Sequence, residues 1–100
     1  MKVEYFGKDY EISDSLKNIT EKKCQKLDKY FKSDENAITK LRILKDGLNY
    51  ISEMTVVCKS QTYRAEAKGL NPFENIDELI PKILGQIRKQ KDIWENARKD

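Results

Sequence analysis

The chain has 100 residues, 37% charged and 38% hydrophobic, with a formal net charge of +3. That is enough for one domain, residues 1–100, with a single modest core. A mean hydropathy of −0.81 with patterned apolar residues excludes disorder, and no apolar run approaches the length of a membrane span.

There is no histidine, and the two cysteines, Cys24 and Cys58, are too few for a disulfide framework. Each falls on an apolar face, which reads as a reduced core thiol in a cytosolic domain. No signal-peptide pattern follows Met1.

Lys2–Phe6 alternates, with Val3 and Tyr5 on one side and Lys2 and Glu4 on the other, and predicts a strand ended by Gly7. Ser13 is the expected N-cap of a helix with Asp14 in its first turn. That helix is expected to bury Leu16, Ile19, Cys24, Leu27 and Phe31, with Tyr30 at the margin. Lys22, Lys26 and Lys29 then fall on one flank and Lys23 at the border of the stripe. Ser33–Asn36 reads as a loop.

Ile38–Lys45, Met54–Lys59 and Thr62–Lys68 are further strand candidates, with a turn at Asp46-Gly47 and a hairpin at Lys59–Gln61. Asn71–Asp92 carries Ile76, Leu79, Ile80, Ile83, Leu84 and Ile87 at helical spacing. Asn71 is the expected N-cap and Pro72 suits the first helical position. Pro81 interrupts the bond to the Asp77 carbonyl and predicts a continuous but kinked helix to about Trp94.

The order β-α-β-β-β-α implies an α+β fold: a two-layer sandwich of four strands, mostly antiparallel, with both helices on one face.

Charge is clustered. Lys17–Lys32 holds six lysines against Glu21 and Asp28, and Lys82–Lys91 holds Lys82, Arg88, Lys89 and Lys91 with no acid. Each segment is +4, which leaves −5 for the rest of the chain. Such clustering marks either a polyanion-binding surface or two solvated helix faces. Enzymatic signals are missing: no imidazole base, no CxxC, no Walker loop and no GxGxxG. The chain reads as a non-enzyme with no cofactor, no metal and no small-molecule substrate.

The run NPFENIDELIPKILGQIRKQKD resembles the last helix of the ribosome hibernation promoting factors, also called ribosome-associated inhibitors or sigma-54 modulation proteins. Phe73, Ile76, Asp77, Leu79, Lys82, Gln86, Lys89 and Lys91 match that pattern. Arg64-Ala65-Glu66 resembles the family's R-A-E strand. Leu16, Lys23, Lys26, Leu27, Tyr30 and Phe31 resemble its first helix, and KVEYFGKDYEISDSL its opening strand, turn and helix start.

The resemblance implies a cytoplasmic, ribosome-associated protein of slow-growing or stressed cells. It would bind ribosomal RNA in the decoding channel of the small subunit and silence ribosomes by blocking messenger and transfer RNA sites. The implied RNA-binding residues are Lys22, Lys23, Lys26, Lys29, Lys82, Arg88, Lys89 and Lys91. Ribosome pairing is expected only where a C-terminal domain follows, so the chain corresponds to a short form or to the N-terminal domain of a long one. Three positions depart from the pattern: Gly85 replaces an arginine, Gln90 a histidine, and Pro81 lies inside the helix.

Blander readings stand beside these. Trp94 reads as a packing anchor, Tyr5 and Tyr63 as sheet core, and Lys17, Lys32, Lys40 and Lys45 as solvated. Two other functions fit the charge: a generic double-stranded-RNA-binding module and a protein-interaction modulator of a transcription factor. The first has the order α-β-β-β-α, so the KVEYF strand argues against it.

Overall fold

The structure is a computed structural model that describes residues 2–31, 34–58 and 61–97, with side chains up to residue 90. Alternating apolar residues and two helix caps divide it into β1 (Lys2–Lys8), α1 (Asp14–Asp28), β2 (Ile38–Asp46), β3 (Asn49–Cys58), β4 (Gln61–Gly69) and α2 (Pro72–Ala97). The sheet order is β1-β2-β3-β4. β1 pairs with β2 in parallel through the α1 crossover, and the other two pairings are antiparallel. This is the expected β-α-β-β-β-α sandwich. The parallel β1 also excludes the α-β-β-β-α order of a double-stranded-RNA-binding module.

One face of the sheet is apolar. Tyr5, Leu41, Met54 and Ala65 form a row across all four strands. Leu16, Cys24 and Leu27 of α1 and Ile76, Leu79, Ile80, Ile83 and Ile87 of α2 close over that face. Each buried aliphatic side chain contributes about 1.5–3 kcal/mol.

Both caps form as expected. Ser13 Oγ accepts from the Leu16 amide at 3.2 Å, and Asn71 Oδ1 from the Phe73 amide at 2.9 Å. α2 runs unbroken through Pro81, which is exposed, so the missing hydrogen bond faces solvent rather than the core.

Several expectations shift. β1 does not end at Gly7 but continues to Lys8, with Gly7 opposite Ile43. A Cβ on Gly7 would lie 2.1 Å from the Tyr10 carbonyl oxygen, so the glycine admits the returning chain. β3 starts at Asn49, five residues before Met54, because Gly47-Leu48 is a two-residue hairpin turn with Gly47 at φ +61°. In α1 Thr20 is fully buried alongside Leu16 and Leu27, its hydroxyl donating to the Leu16 carbonyl at 2.7 Å, whereas Ile19 is half-buried. Leu84 is likewise half-buried, and Phe31 is buried just beyond the α1 cap.

Lys32, Ser33, the Lys59-Ser60 turn and the side chains of Lys91 and Trp94 lie outside the described residues.

Candidate nucleic-acid interface

The ladder makes β1 and β4 point the same way. Each helix returns against the strand before it, so α1 and α2 run in the same direction side by side. Lys23 of α1 and Asp77 of α2 form an ion pair across the gap. That contact fixes both the register of the helices and the flank that each presents to the other.

Helical phase then places the remaining cations. Lys22, Lys26 and Lys29 recur at four- and three-residue steps on the solvent side of α1, leaning toward the flank marked by Lys23. Arg88 follows Asp77 by eleven residues, about three turns, and so lies on the α1-facing line of α2. With Lys23 level with Asp77, Lys29 is six residues further along α1 and Arg88 eleven along α2. At about 1.5 Å per residue they differ by roughly 7.5 Å along the shared axis. All four side chains are exposed. By helical phase they flank the α1–α2 seam, here called the groove, beyond the acidic start of α2 at Glu74, Asp77 and Glu78, with Arg88 past the end of α1 at Asp28.

Lys82 and Lys89 are elsewhere. Seven residues apart, they share the opposite flank of α2, above the outer edge of β4. Lys82 Nζ donates to the Glu66 carbonyl at 2.8 Å. Between them Gln86 makes a double contact: Nε2 donates to the Arg64 carbonyl at 2.6 Å, and Oε1 accepts from the Arg64 amide at 3.1 Å. β4 is an edge strand, and these side chains occupy backbone groups that an incoming strand would use.

The expected set of eight is therefore divided. Lys22, Lys26, Lys29 and Arg88 are exposed on or near the flanks of the α1–α2 groove. Lys23 pairs with Asp77, and Lys82 donates one bond to the β4 edge while remaining exposed. Lys89 is exposed on that second flank, and Lys91 lies outside the described side chains. Gln86, quoted only as a motif match, proves to be a structural contact. Its partner is 22 residues away, a separation that leaves no periodic trace.

Pro81 and Gly85 are exposed on the crest between the two flanks of α2, and a Cβ on Gly85 would meet nothing within 4 Å. The crest is low, so a bulky polymer can approach the backbone there.

Cys24 is 2% exposed, and burial, reinforced by Asp28 and Glu21, pushes its thiol up to about 12. Burial likewise raises the phenol of Tyr5, whose hydroxyl donates to the Lys17 carbonyl at 3.1 Å. Both groups stay neutral near pH 7. Among the described residues no cluster of histidine, cysteine and carboxylate ligands could hold a metal, and no helix is long and apolar enough to cross a membrane.

Comparison with known proteins adds three findings. The profile of the family described as "Sigma 54 modulation protein / S30EA ribosomal protein" matches residues 3–94. A ribosome hibernation promotion factor of Staphylococcus aureus (strain COL) is 31% identical over 93 residues, 91% of this chain and 48% of that protein. The chain thus spans about half the length of that curated relative. Two solved structures share the fold. A ribosomal subunit interface protein from Coxiella burnetii has a TM-score of 0.82 and 23% identity, covering 92% of this chain and 99% of that one. The Protein Y N-terminal domain of Thermus thermophilus has a TM-score of 0.76 and 22% identity, covering 89% and 98%.

Proposed function

The chain belongs to the sigma-54 modulation / S30EA ribosomal protein family, and we propose that it is a ribosome-binding module that silences translation. It docks on the small subunit with the groove between its helices on ribosomal RNA. There it occupies the decoding channel and excludes messenger and transfer RNA. Its place is with ribosomes in the cytoplasm, and it needs no cofactor for this. Pairing of ribosomes would require a segment beyond this domain.

The observation that carries the reading is that Lys22, Lys26 and Lys29 of α1 and Arg88 of α2 are all exposed on two helices that meet at the Lys23–Asp77 pair. Such a surface tracks phosphates and needs no base readout. It suits folded RNA, whose backbone geometry and 2′-hydroxyls are the recognisable features. Lys89 extends the surface over the low crest of α2.

The test is binding to purified small subunits across a range of salt. Each phosphate contact contributes roughly 0.7–0.9 to the log–log slope. The double variant Lys26→Ala, Arg88→Ala is expected to lose at least about tenfold in affinity and to flatten the slope by about two contacts. A control pair, Lys8→Ala with Lys45→Ala, is expected to change affinity less than about twofold. Equal losses in both pairs, or a flat slope in the parent chain, would refute the groove.

A further inference from the structure

The face of the sheet turned away from the helices is covered by no element among the described residues. Two rows cross it in register. One runs Phe6, Arg42, Glu53, Glu66 from β1 to β4, and the other Glu4, Lys40, Thr55, Arg64. Phe6 is 55% exposed, where most large apolar side chains of the domain are buried. The Arg42 guanidinium carbon lies 5.3 Å from the centroid of its ring. Both line an open groove of about 680 Å³ on this face.

The groove lining carries Lys40, Arg42 and Arg64 against Glu4 and Glu53, a net charge of +1, with Glu66 at the β4 end of the first row. Glu53 faces Arg64 at 4.0 Å, and Glu4 faces Lys2 at 3.9 Å. Lys40 and Arg42 have no carboxylate within ion-pair distance among the described residues. Arg42 therefore covers one face of an exposed aromatic ring and leaves the other open, with Lys40 and the hydroxyls of Thr55 and Thr62 in the same groove.

We propose that this sheet face binds a short single-stranded RNA segment, one base stacking on Phe6 beside Arg42 and the adjoining phosphates meeting Lys40 and Arg42. An aromatic ring offers its face only to an unpaired base, and a sheet with an exposed ring and surrounding cations is a stacking platform of that kind. The net positive lining favours a polyanion over an apolar peptide. The platform and the helix groove are on opposite faces of the sheet, so the domain can hold folded RNA on one side and a single strand on the other. This inference stands apart from the small-subunit reading and can fail without it.

The experiment is fluorescence anisotropy with the full chain and an end-labelled oligouridine of about ten nucleotides, within the usual site size for such surfaces. The second probe is an abasic ribose-phosphate oligomer of the same length. Phe6→Leu keeps apolar bulk on the edge strand but removes the π-face, and is expected to weaken oligouridine binding about tenfold. Phe6→Tyr keeps the ring and is expected to bind within about twofold of the parent. The abasic oligomer should bind the parent about tenfold more weakly than oligouridine and ignore Phe6→Leu. The loss caused by Phe6→Leu should persist in the Lys26→Ala, Arg88→Ala background, which separates this face from the helix groove. Thermal unfolding of each variant confirms that it is folded. Equal binding of oligouridine by the parent and Phe6→Leu, or equal affinity for the two probes, overturns the proposal.

Discussion

The two flanks of α2 carry the same kind of side chain to different ends. On the flank that faces α1, Arg88 is exposed, as are Lys22, Lys26 and Lys29 of α1, with Lys29 Nζ 5.2 Å from the centroid of the Tyr30 ring. On the flank that faces β4, Lys82 and Gln86 are bonded to the strand backbone at Glu66 and Arg64. One flank leaves its donors available to a ligand; the other uses them to close a sheet edge. A lysine in a basic run is therefore not a binding residue until its neighbours are known. Helical phase and edge position separate the two roles here.

Four substitutions or conditions sharpen that contrast, in decreasing order of effect. Pro81 sits on the crest between the flanks and forfeits the bond to the Asp77 carbonyl. Pro81→Ala is expected to stabilise the domain by up to ~3 kcal/mol, read by denaturant unfolding. A loss of stability would mean that the packing of both flanks depends on the proline.

Alkaline pH is expected to act next, through the flank of α1 away from the groove. The folded state holds the Cys24 thiol near 12, against about 8.5 in an unfolded chain. Below pH 8.5 both states keep the proton and no stability is lost. Above it the unfolded chain releases the proton first, so stability falls with rising pH, by about 2 kcal/mol at pH 10. Cys24→Ala should flatten this decline between pH 8.5 and pH 12. An unchanged decline would assign it to other groups, Tyr5 among them.

Gln86→Ala removes two hydrogen bonds from the β4 edge and is expected to cost about 1–2 kcal/mol. It should also speed hydrogen exchange at the Arg64 amide and leave small-subunit binding within about twofold. A large loss of RNA affinity with stability intact would move Gln86 from the structural flank to the binding surface. Lys82→Ala, with one exposed contact to the Glu66 carbonyl, is expected to cost only a few tenths of a kcal/mol, at the low end for a hydrogen bond.

The sequence announces what is periodic and what is capped. Ser13, Asn71, Gly47 and the apolar spacing of Ile76, Leu79, Ile80, Ile83 and Ile87 each carry a local signature, and the fold follows from them. Contacts between distant polar residues leave no such mark. Asn75, 2% exposed, donates to the Tyr50 carbonyl at 3.0 Å and to Ser52 Oγ at 3.1 Å, tying α2 to β3. Ser52 on the core face breaks the alternation of β3, and so the first half of that strand reads as loop. Thr20 is hidden for a different reason: its hydroxyl is satisfied within its own helix, which lets a polar residue take a core position. The basic segments were legible as charge. Which lysines share a groove was not, since that depends on the direction of two helices and on the pair between Lys23 and Asp77.

The most direct measurement is an electron cryo-microscopy structure of this chain on purified small subunits. The α1–α2 groove should face ribosomal RNA, with Lys22, Lys26, Lys29 and Arg88 at hydrogen-bonding distance from phosphates in the decoding channel, and with Lys82 and Gln86 still bonded to β4. A complex with that groove turned to solvent, or with Lys82 released from Glu66 to hold the RNA instead, would contradict the division of α2 into a binding flank and a structural one.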